Sequence, residues 1–460
     1  MTFSDYIDYL RGKRIGVIGF GVSNQPLVRV LLRNGCDVTV CDRRERAQLG
    51  AAGDEAAAQG AKFALGADYL EHLDFDVIFR TPGVLPIVPQ LRKAAQNGAI
   101  LTSEMEAFCN LCPCRILAIT GSDGKTTTST ITAELLRAQG YTVHLGGNIG
   151  TPLFDRIADI RPDDFAVLEL SSFQLHSMHC APDVAIITNI SPNHLDVHPD
   201  FEDYVSAKCS IYRGQRPDGV LVLNARDAHT PRFAAEAPGS VRYFSSIGPV
   251  ENGVYCSDGV IYRAHGDEAE KLIDVSDIRI PGAHNVENYM AAFAATDGLV
   301  GQAACVQVAR SFAGVPHRME RIRELNGITF INDSIASSPT RTIAGLHALP
   351  KPPVIILGGH DKHIPFDELG DEVCLHAKAA VVVGETAQRI AAAIRASKFY
   401  APGKLPLVEA PDFRAAVEMA YRLAQPGDTV TLSPACSSFD FFKNFAERGD
   451  TFRAIVESLQ

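Results

Sequence analysis

The sequence predicts an α/β protein of three domains, each built on a mainly parallel β-sheet. Two observations carry that prediction. Short apolar runs pass through polar or glycine-bearing turns into helical patterns at three places: Arg14-Ile15-Gly16-Val17-Ile18-Gly19, Arg115-Ile116-Leu117-Ala118-Ile119-Thr120 and Ile328-Thr329-Phe330-Ile331-Asn332-Asp333. Each start is followed by further β-branched runs alternating with helical segments, and near-continuous runs of this kind suit parallel strands covered on both faces. A chain of 460 residues has room for about three such domains.

The first run leads into a helical pattern through Leu27, Val30 and Leu31. The run Asp37-Val38-Thr39-Val40-Cys41-Asp42 then closes a βαβ unit, and Asp76-Val77-Ile78-Phe79 leads to the turn Thr81-Pro82-Gly83. A Rossmann-like domain over residues 1–109 follows. Its turn, Gly19-Phe20-Gly21-Val22-Ser23-Asn24, resembles a dinucleotide fingerprint with Asn24 in the third glycine's place. Asp42 stands where a ribose-binding acid stands. The pattern suits NAD, or any nucleotide diphosphate held over a helix N-terminus, a UDP-sugar included.

The second domain is predicted over residues 110–314. After the strand ending at Thr120 comes Gly121-Ser122-Asp123-Gly124-Lys125-Thr126-Thr127, then a helix over residues 128–136. This is a short phosphate-binding loop. Glycines let backbone N–H groups face phosphate oxygens, the helix N-terminus adds partial positive charge, Lys125 supplies a point charge, and the Thr126 hydroxyl can reach magnesium. Glu169 ends the next apolar strand, where a carboxylate faces the ligand crevice, and is assigned to Mg²⁺. The strand over residues 184–189 leads to His194 and Asp196, near the same sheet edge. Lys208 reads from spacing alone as a surface lysine. Residues 240–282 alternate short strands with turns and predict a β-hairpin excursion.

The third domain, over residues 315–460, repeats the doubly wound pattern with strands near 354–357, 380–383 and 429–432. Ser338 followed by Pro339 reads as a helix N-cap and first helical position. Arg341 then falls in the first turn, close to Ser337, where a guanidinium can grip a carboxylate or a phosphoryl group.

The formal net charge of −11 disfavours non-specific binding to nucleic acid or anionic membranes. No apolar run has the length of a membrane span, and the N-terminus lacks a signal-peptide pattern. A cytoplasmic protein is expected. The eleven cysteines cluster only at Cys109, Cys112 and Cys114, which read as ordinary linker thiols in a reducing compartment.

Several stretches together resemble the Mur ligase family. They are residues 121–127, Gly147-Asn148-Ile149-Gly150, residues 169–174, Asn193-His194-Leu195-Asp196, Ala207-Lys208, residues 282–288, Pro316-His317-Arg318-Met319-Glu320, Asn332-Asp333-Ser334 and residues 432–449. The last stretch favours the branch of the family that adds D-glutamate. The resemblance implies an ATP- and Mg²⁺-dependent ligase, expected as a monomer, that joins D-glutamate to UDP-N-acetylmuramoyl-L-alanine through an acyl phosphate. It also implies the site. Gly121, Ser122, Asp123, Gly124, Lys125, Thr126, Thr127, Asn288, Arg318 and Asp333 would hold ATP. Thr126, Glu169, His194 and Lys208 would serve magnesium, and in the family that lysine is carbamylated. Lys125, His194 and Lys208 would be the catalytic groups. Ser23, Asn24, Asp42, Thr81, Pro82, Gly83 and Asn148 would hold the UDP-sugar. Ser337, Lys362, Ser438 and Phe445 would frame D-glutamate; Phe439, next to Ser438, and Arg341, from its place in the first helical turn, are added to that set. Two positions depart from the family pattern: Ile335 stands where a lysine is usual, and Asn193 where an acid often precedes the histidine. Arg341 would supply the positive charge that Ile335 cannot. Competing readings are another Mur-type or folylpolyglutamate-type ligase with a different amino acid, an NAD-dependent oxidoreductase, and a non-catalytic UDP-sugar sensor. The oxidoreductase leaves the phosphate loop unexplained.

Overall fold

The computed structural model describes residues 1–194, 197–361, 364–401 and 403–460. The chain forms two compact units, Met1–Phe312 and Ala313–Gln460.

The first unit carries two sheets. One has five parallel strands in the order Lys62–Leu65, Asp37–Asp42, Arg14–Ile18, Val77–Arg80, Ile100–Thr102. The second has nine. From one edge, Val143–Gly147, Phe165–Glu169, Arg115–Thr120, Val184–Ile187, Val220–Asn224, Ser240–Ser245 and Asn252–Ser257 run parallel, and Val260–His265 and Glu268–Asp274 then pair antiparallel.

This corrects the reading of residues 240–282. Its last three strands pair antiparallel as two successive hairpins, as expected, but Ser240–Ser245 and Asn252–Ser257 continue the parallel sheet. Turn residues such as Gly253 and Gly259 mark chain reversals, but they do not reveal that Gly253 pairs with Tyr243 in parallel register.

One large buried cluster spans both sheets, and a smaller one lies on the other face of the first sheet around Ile18, Ile78 and Leu91. Val17 and Phe79 of the first sheet belong to the same buried cluster as Ala118 and Leu168 of the second. Phe3 and Phe154 meet edge to face at 6.0 Å. Arg80, at the end of its strand, is 1% exposed. Its guanidinium donates to the Phe173 carbonyl at 3.0 Å and to Ser177 Oγ at 2.9 and 2.8 Å. A polar bond thereby joins the strand ends of the first sheet to the segment that follows Glu169. Burial pulls its pKa down to about 10.

The second unit has one six-stranded sheet in the order Glu320–Leu325, Ile328–Asn332, Thr429–Leu432, Val354–Leu357, Ala379–Val382, Leu407–Glu409. All pairs are parallel except the first. Alternate residues serve opposite faces, as the pleat demands. Val354 and Ile356 enter one buried cluster, and Ile355 and Leu357 enter the other.

Truncating Arg80→Ala leaves a cavity and unpaired acceptors at Phe173 and Ser177. It should lower the unfolding free energy by about 2–4 kcal/mol. Urea unfolding measures this, and an unchanged midpoint would show that the link contributes nothing.

Candidate active site

The helix Lys125–Ala138 starts three residues earlier than the sequence pattern suggests. Its N-cap, Gly124, has φ +78° and makes no side-chain cap. The first N–H groups of such a helix have no intrahelical partner, so they face whatever anion the loop receives. Gly121 and Gly124 are required here. A Cβ at Gly121 would collide with Thr188 Oγ1, and one at Gly124 with Asn288 Oδ1. Asn288, expected near ATP, therefore packs on this loop, and it accepts a bond from Thr128 Oγ1 at 3.2 Å.

Two lysines converge on one carbonyl. Lys125 Nζ donates to Gly121 O at 2.9 Å and Ser122 O at 2.8 Å. Lys208 Nζ donates to the same Gly121 O at 2.7 Å. Lys208 is not the surface lysine that spacing alone suggests. It lies in the helix Phe201–Arg213 and is 1% exposed. Helical periodicity puts it one turn after Tyr204. Its ammonium sits 4.6 Å from that ring's centre, and Tyr204 OH bonds Ser122 Oγ at 2.8 Å. Burial, and then the nearby Lys125 charge, push its pKa well below the usual lysine range. Both effects move the group towards its neutral amine, and a neutral amine is a nucleophile.

Glu169 is 1% exposed. Its Oε1 accepts from Asn148 Nδ2 at 2.9 Å, while Oε2 is buried with no hydrogen-bond partner among the described residues. A buried, half-satisfied carboxylate fits a hard cation that takes oxygen ligands. The buried Thr126 belongs to the same loop-and-strand-end region. Lys208 as a free amine does not suit a cation; as a carbamate it would.

His194 adopts φ +56° and is exposed. Its ring meets Phe173 edge to face at 4.9 Å, and Phe173 stacks on His198 at 5.4 Å. His198 is tied on both sides, through Nδ1 to Asp203 at 2.6 Å and through Nε2 to Ser172 Oγ at 3.0 Å. His176 bonds the same Asp203 at 3.1 Å. This network supports the His194 segment. The sequence reading missed it, since two histidines 22 positions apart show no periodic pattern. Asp196 lies outside the described residues.

At the first sheet, Asp42 accepts from Phe20 N at 2.6 Å and from Arg44 Nε and Nη2 at 3.0 and 2.9 Å. Burial opposes its charge, but Arg44 and the N–H groups of Phe20 and Arg44 outweigh burial and hold the pKa at about 2. Asn24 is spent on the turn, donating to Ile18 O and Gly19 O at 3.1 and 2.8 Å. Ser23 makes no side-chain cap bond. Thr81 packs on Gly19, with Pro82 and the exposed Gly83 following it. The turn over residues 19–24 and residues 81–83 thus share one edge of the sheet.

In the second unit Asp333 is 4% exposed. It accepts from Ser433 Oγ at 2.8 Å and from Met319 N at 3.2 Å. Burial raises its pKa to about 6, with Arg318 and Arg341 among the opposing charges. The helix Pro339–Ala348 starts where Ser338-Pro339 indicates, although the Ser338 side chain makes no cap bond. Arg341 Nη1 lies 3.4 Å from the carbonyl of Ile335, close to the position that lacks the lysine. Ser337 belongs to the adjoining turn, its N–H donating to Ile335 O at 2.8 Å. Ser438 is 1% exposed, whereas Phe439 and Phe445 are 66% and 40% exposed. Lys362 lies outside the described residues.

Arg448 went unassigned in the sequence reading. It is 2% exposed and donates to Ser334 Oγ at 3.0 Å, Ser334 O at 2.8 Å, and the carbonyls of Cys436 and Ser437 at 3.1 Å each. It joins the loops that carry Ser337 and Ser438.

Residues 119–296 match the Mur ligase middle domain, and residues 317–436 match the Mur ligase glutamate ligase domain. A UDP-N-acetylmuramoylalanine–D-glutamate ligase of Acetivibrio thermocellus is 45% identical over 99% of both chains. One from Clostridium kluyveri is 44% identical over 100% of this chain and 99% of its own. A crystal structure of MurF from Acinetobacter baumannii superposes with a TM-score of 0.56 at 19% identity, covering 100% of this chain and 93% of that one. At that identity the likeness speaks for the fold.

The raised Asp333 pKa makes a signed prediction. The folded state holds this proton up to about pH 6, whereas the unfolded chain releases it near pH 4. Stability from this group is fully present below about pH 4 and falls as pH rises towards 6. Asp333→Asn should therefore flatten that decline and be more stable than the parent at pH 7.5 by about 1–3 kcal/mol. Urea midpoints across pH check it, and parallel pH profiles for the two proteins would refute it.

Proposed function

The chain belongs to the Mur ligase family, and from that premise we propose that it joins D-glutamate to UDP-N-acetylmuramoyl-L-alanine at the expense of ATP, in the cytoplasm and as a monomer. Full-length likeness to ligases of that name supports the substrates. The geometric observation that carries the reading is the convergence of Lys125 and Lys208 on the Gly121 carbonyl, beside an uncapped helix N-terminus.

The three sheets take three tasks, with domains over residues 1–109, 110–314 and 315–460. The first-sheet edge, with Ser23, Asn24, Asp42 and residues 81–83, receives the uridine diphosphate end. Asn24 and Asp42 act there by fixing the turn, because their polar atoms are already bonded to it. Asn148 contacts the sugar-peptide end. Residues 121–127 and Asn288 hold the phosphates, and Arg318 and Asp333 serve the rest of the nucleotide. Ser337, Arg341, Lys362, Ser438, Phe439 and Phe445 frame D-glutamate.

The L-alanyl carboxylate attacks the γ-phosphorus of ATP, the bond from that phosphorus to the β–γ bridging oxygen breaks, and ADP leaves as the acyl phosphate forms. The D-glutamate amine then attacks that carbonyl, and the resulting tetrahedral intermediate expels inorganic phosphate. The protein positions the partners and neutralises charge on the phosphoryl oxygens, with Lys125 as the fixed cation. Magnesium, held by Thr126, Glu169, His194 and a carbamylated Lys208, would supply further Lewis-acid charge there. The neutral Lys208 amine adds to carbon dioxide, forming an N–C bond and releasing one proton, and the lysine becomes an anion.

The deciding experiment is phosphate release. It should require ATP, the UDP-sugar and D-glutamate together, and L-glutamate should fail to replace D-glutamate. Release without the amino acid, or equal release with L-glutamate, would refute the proposal. Lys125→Ala should lose turnover by at least 10³-fold while its unfolding curve stays unchanged, and retained turnover would remove Lys125 from the mechanism. Lys208→Ala should be nearly inactive and partly restored by small carboxylates; full activity without additives would show that no carbamate is used. Arg341→Lys should raise KM for D-glutamate less than Arg341→Ala does, because an ammonium lacks the planar fork. Unchanged kinetics in both variants would mean that the site works with one cation fewer.

A further inference from the structure

His347, Glu372 and His376 lie together on two neighbouring helices of the second unit, Pro339–Ala348 and Asp367–His376. One ligand atom from each falls within 4.8 Å of the other two. His347 Nε2 is 2.6 Å from Glu372 Oε2, and His376 Nε2 is 3.4 Å from the same oxygen. The two rings meet edge to face at 4.8 Å. Glu372 and His376 are one turn apart on their helix, which puts both on one face.

The backbone beneath them is fixed by packing. Leu346, next to His347, shares a buried cluster with Leu369 and Val373, which flank Glu372. Both histidines occupy the last turns of their helices, where unpaired carbonyls carry partial negative charge and favour a cation. Among the described residues, the charged partners of Glu372 within 4.0 Å are these two histidines, so no lysine or arginine competes for the carboxylate.

We propose that His347, Glu372 and His376 form a binding site for a divalent transition-metal ion, zinc above all, that clamps the two helices together. Two imidazoles and a carboxylate are a zinc-type donor set with a fourth position open to water, whereas magnesium and calcium select oxygen-only sets. A tetrahedral ion with bonds of about 2.0–2.2 Å sets its ligands roughly 3.4 Å apart. The two contacts to Glu372, at 2.6 and 3.4 Å, lie at or within that spacing. Each helix begins at the strand-end edge of the sheet, so its last turn lies at the opposite edge, away from Asp333. The ion is therefore a remote clamp on the helix that starts at Pro339 and carries Arg341.

The test uses the full chain, freed of metal with a chelator and then dialysed against zinc chloride alone. Cysteines and the His176–His198–Asp203 group can also take zinc, so the readout is the difference between proteins. His376→Gln and His347→Gln, changed on different helices, should each bind one zinc per chain fewer than the parent. Their melting temperatures in chelator should match the parent's, and zinc should raise the parent's melting temperature more than theirs. With cobalt, the difference spectrum of parent minus variant should show a visible ligand-field band and no thiolate charge-transfer band. Equal zinc stoichiometry in the three proteins, or a thiolate band in the difference spectrum, would overturn the proposal.

Discussion

A positive charge cannot easily persist where Lys208 sits, and the central site is organised around that constraint. The side chain is buried, and its nitrogen shares the Gly121 carbonyl with Lys125. Two ammonium groups on one carbonyl repel, and burial penalises the charged form further. Both effects push the pKa of the more buried Lys208 down. Lys125 is only partly buried at the mouth of the loop. On the proposed reading, the Lys208 amine is the nucleophile towards carbon dioxide. The Tyr204–Ser122 bond and Thr120 on the adjoining strand hold this arrangement from behind.

The rest of the fold delivers groups to strand ends. Each of the three sheets is mainly parallel, so its functional turns collect at the carboxyl edge. Buried arginines then tie those turns together. Arg80 holds the end of its first-sheet strand to the segment after Glu169, and Arg448 holds the loop after Asp333 to the loop after Leu432. Neither has a carboxylate within ion-pair distance among the described residues. Their donors are spent on carbonyls and hydroxyls, which makes them geometric fasteners.

The sequence made the parallel sheets legible because buried parallel strands read as apolar runs. It made the phosphate loop legible because glycines, lysine and hydroxyls at fixed spacing have one economical use. The burial of Lys208 was not legible. Its helix is amphipathic either way, and only tertiary contact with the strand ending at Thr120 shows which face is inside. The placement of residues 240–257 failed for a related reason, since turn residues announce a reversal without choosing the strand's partner. Asp42 and Asn24 were found as a motif, yet the motif did not reveal that their polar atoms are committed to the turn. The His176–His198–Asp203 group and Arg448 needed contacts that no local pattern encodes.

The state of Lys208 is therefore the point on which this account of the site stands. Carbon-13 NMR of the protein equilibrated with labelled bicarbonate reads it directly. The account predicts one protein-bound carbamate resonance that disappears in Lys208→Ala and persists in Lys125→Ala. A spectrum with no such resonance in the parent protein, under conditions where it turns over normally, would contradict it.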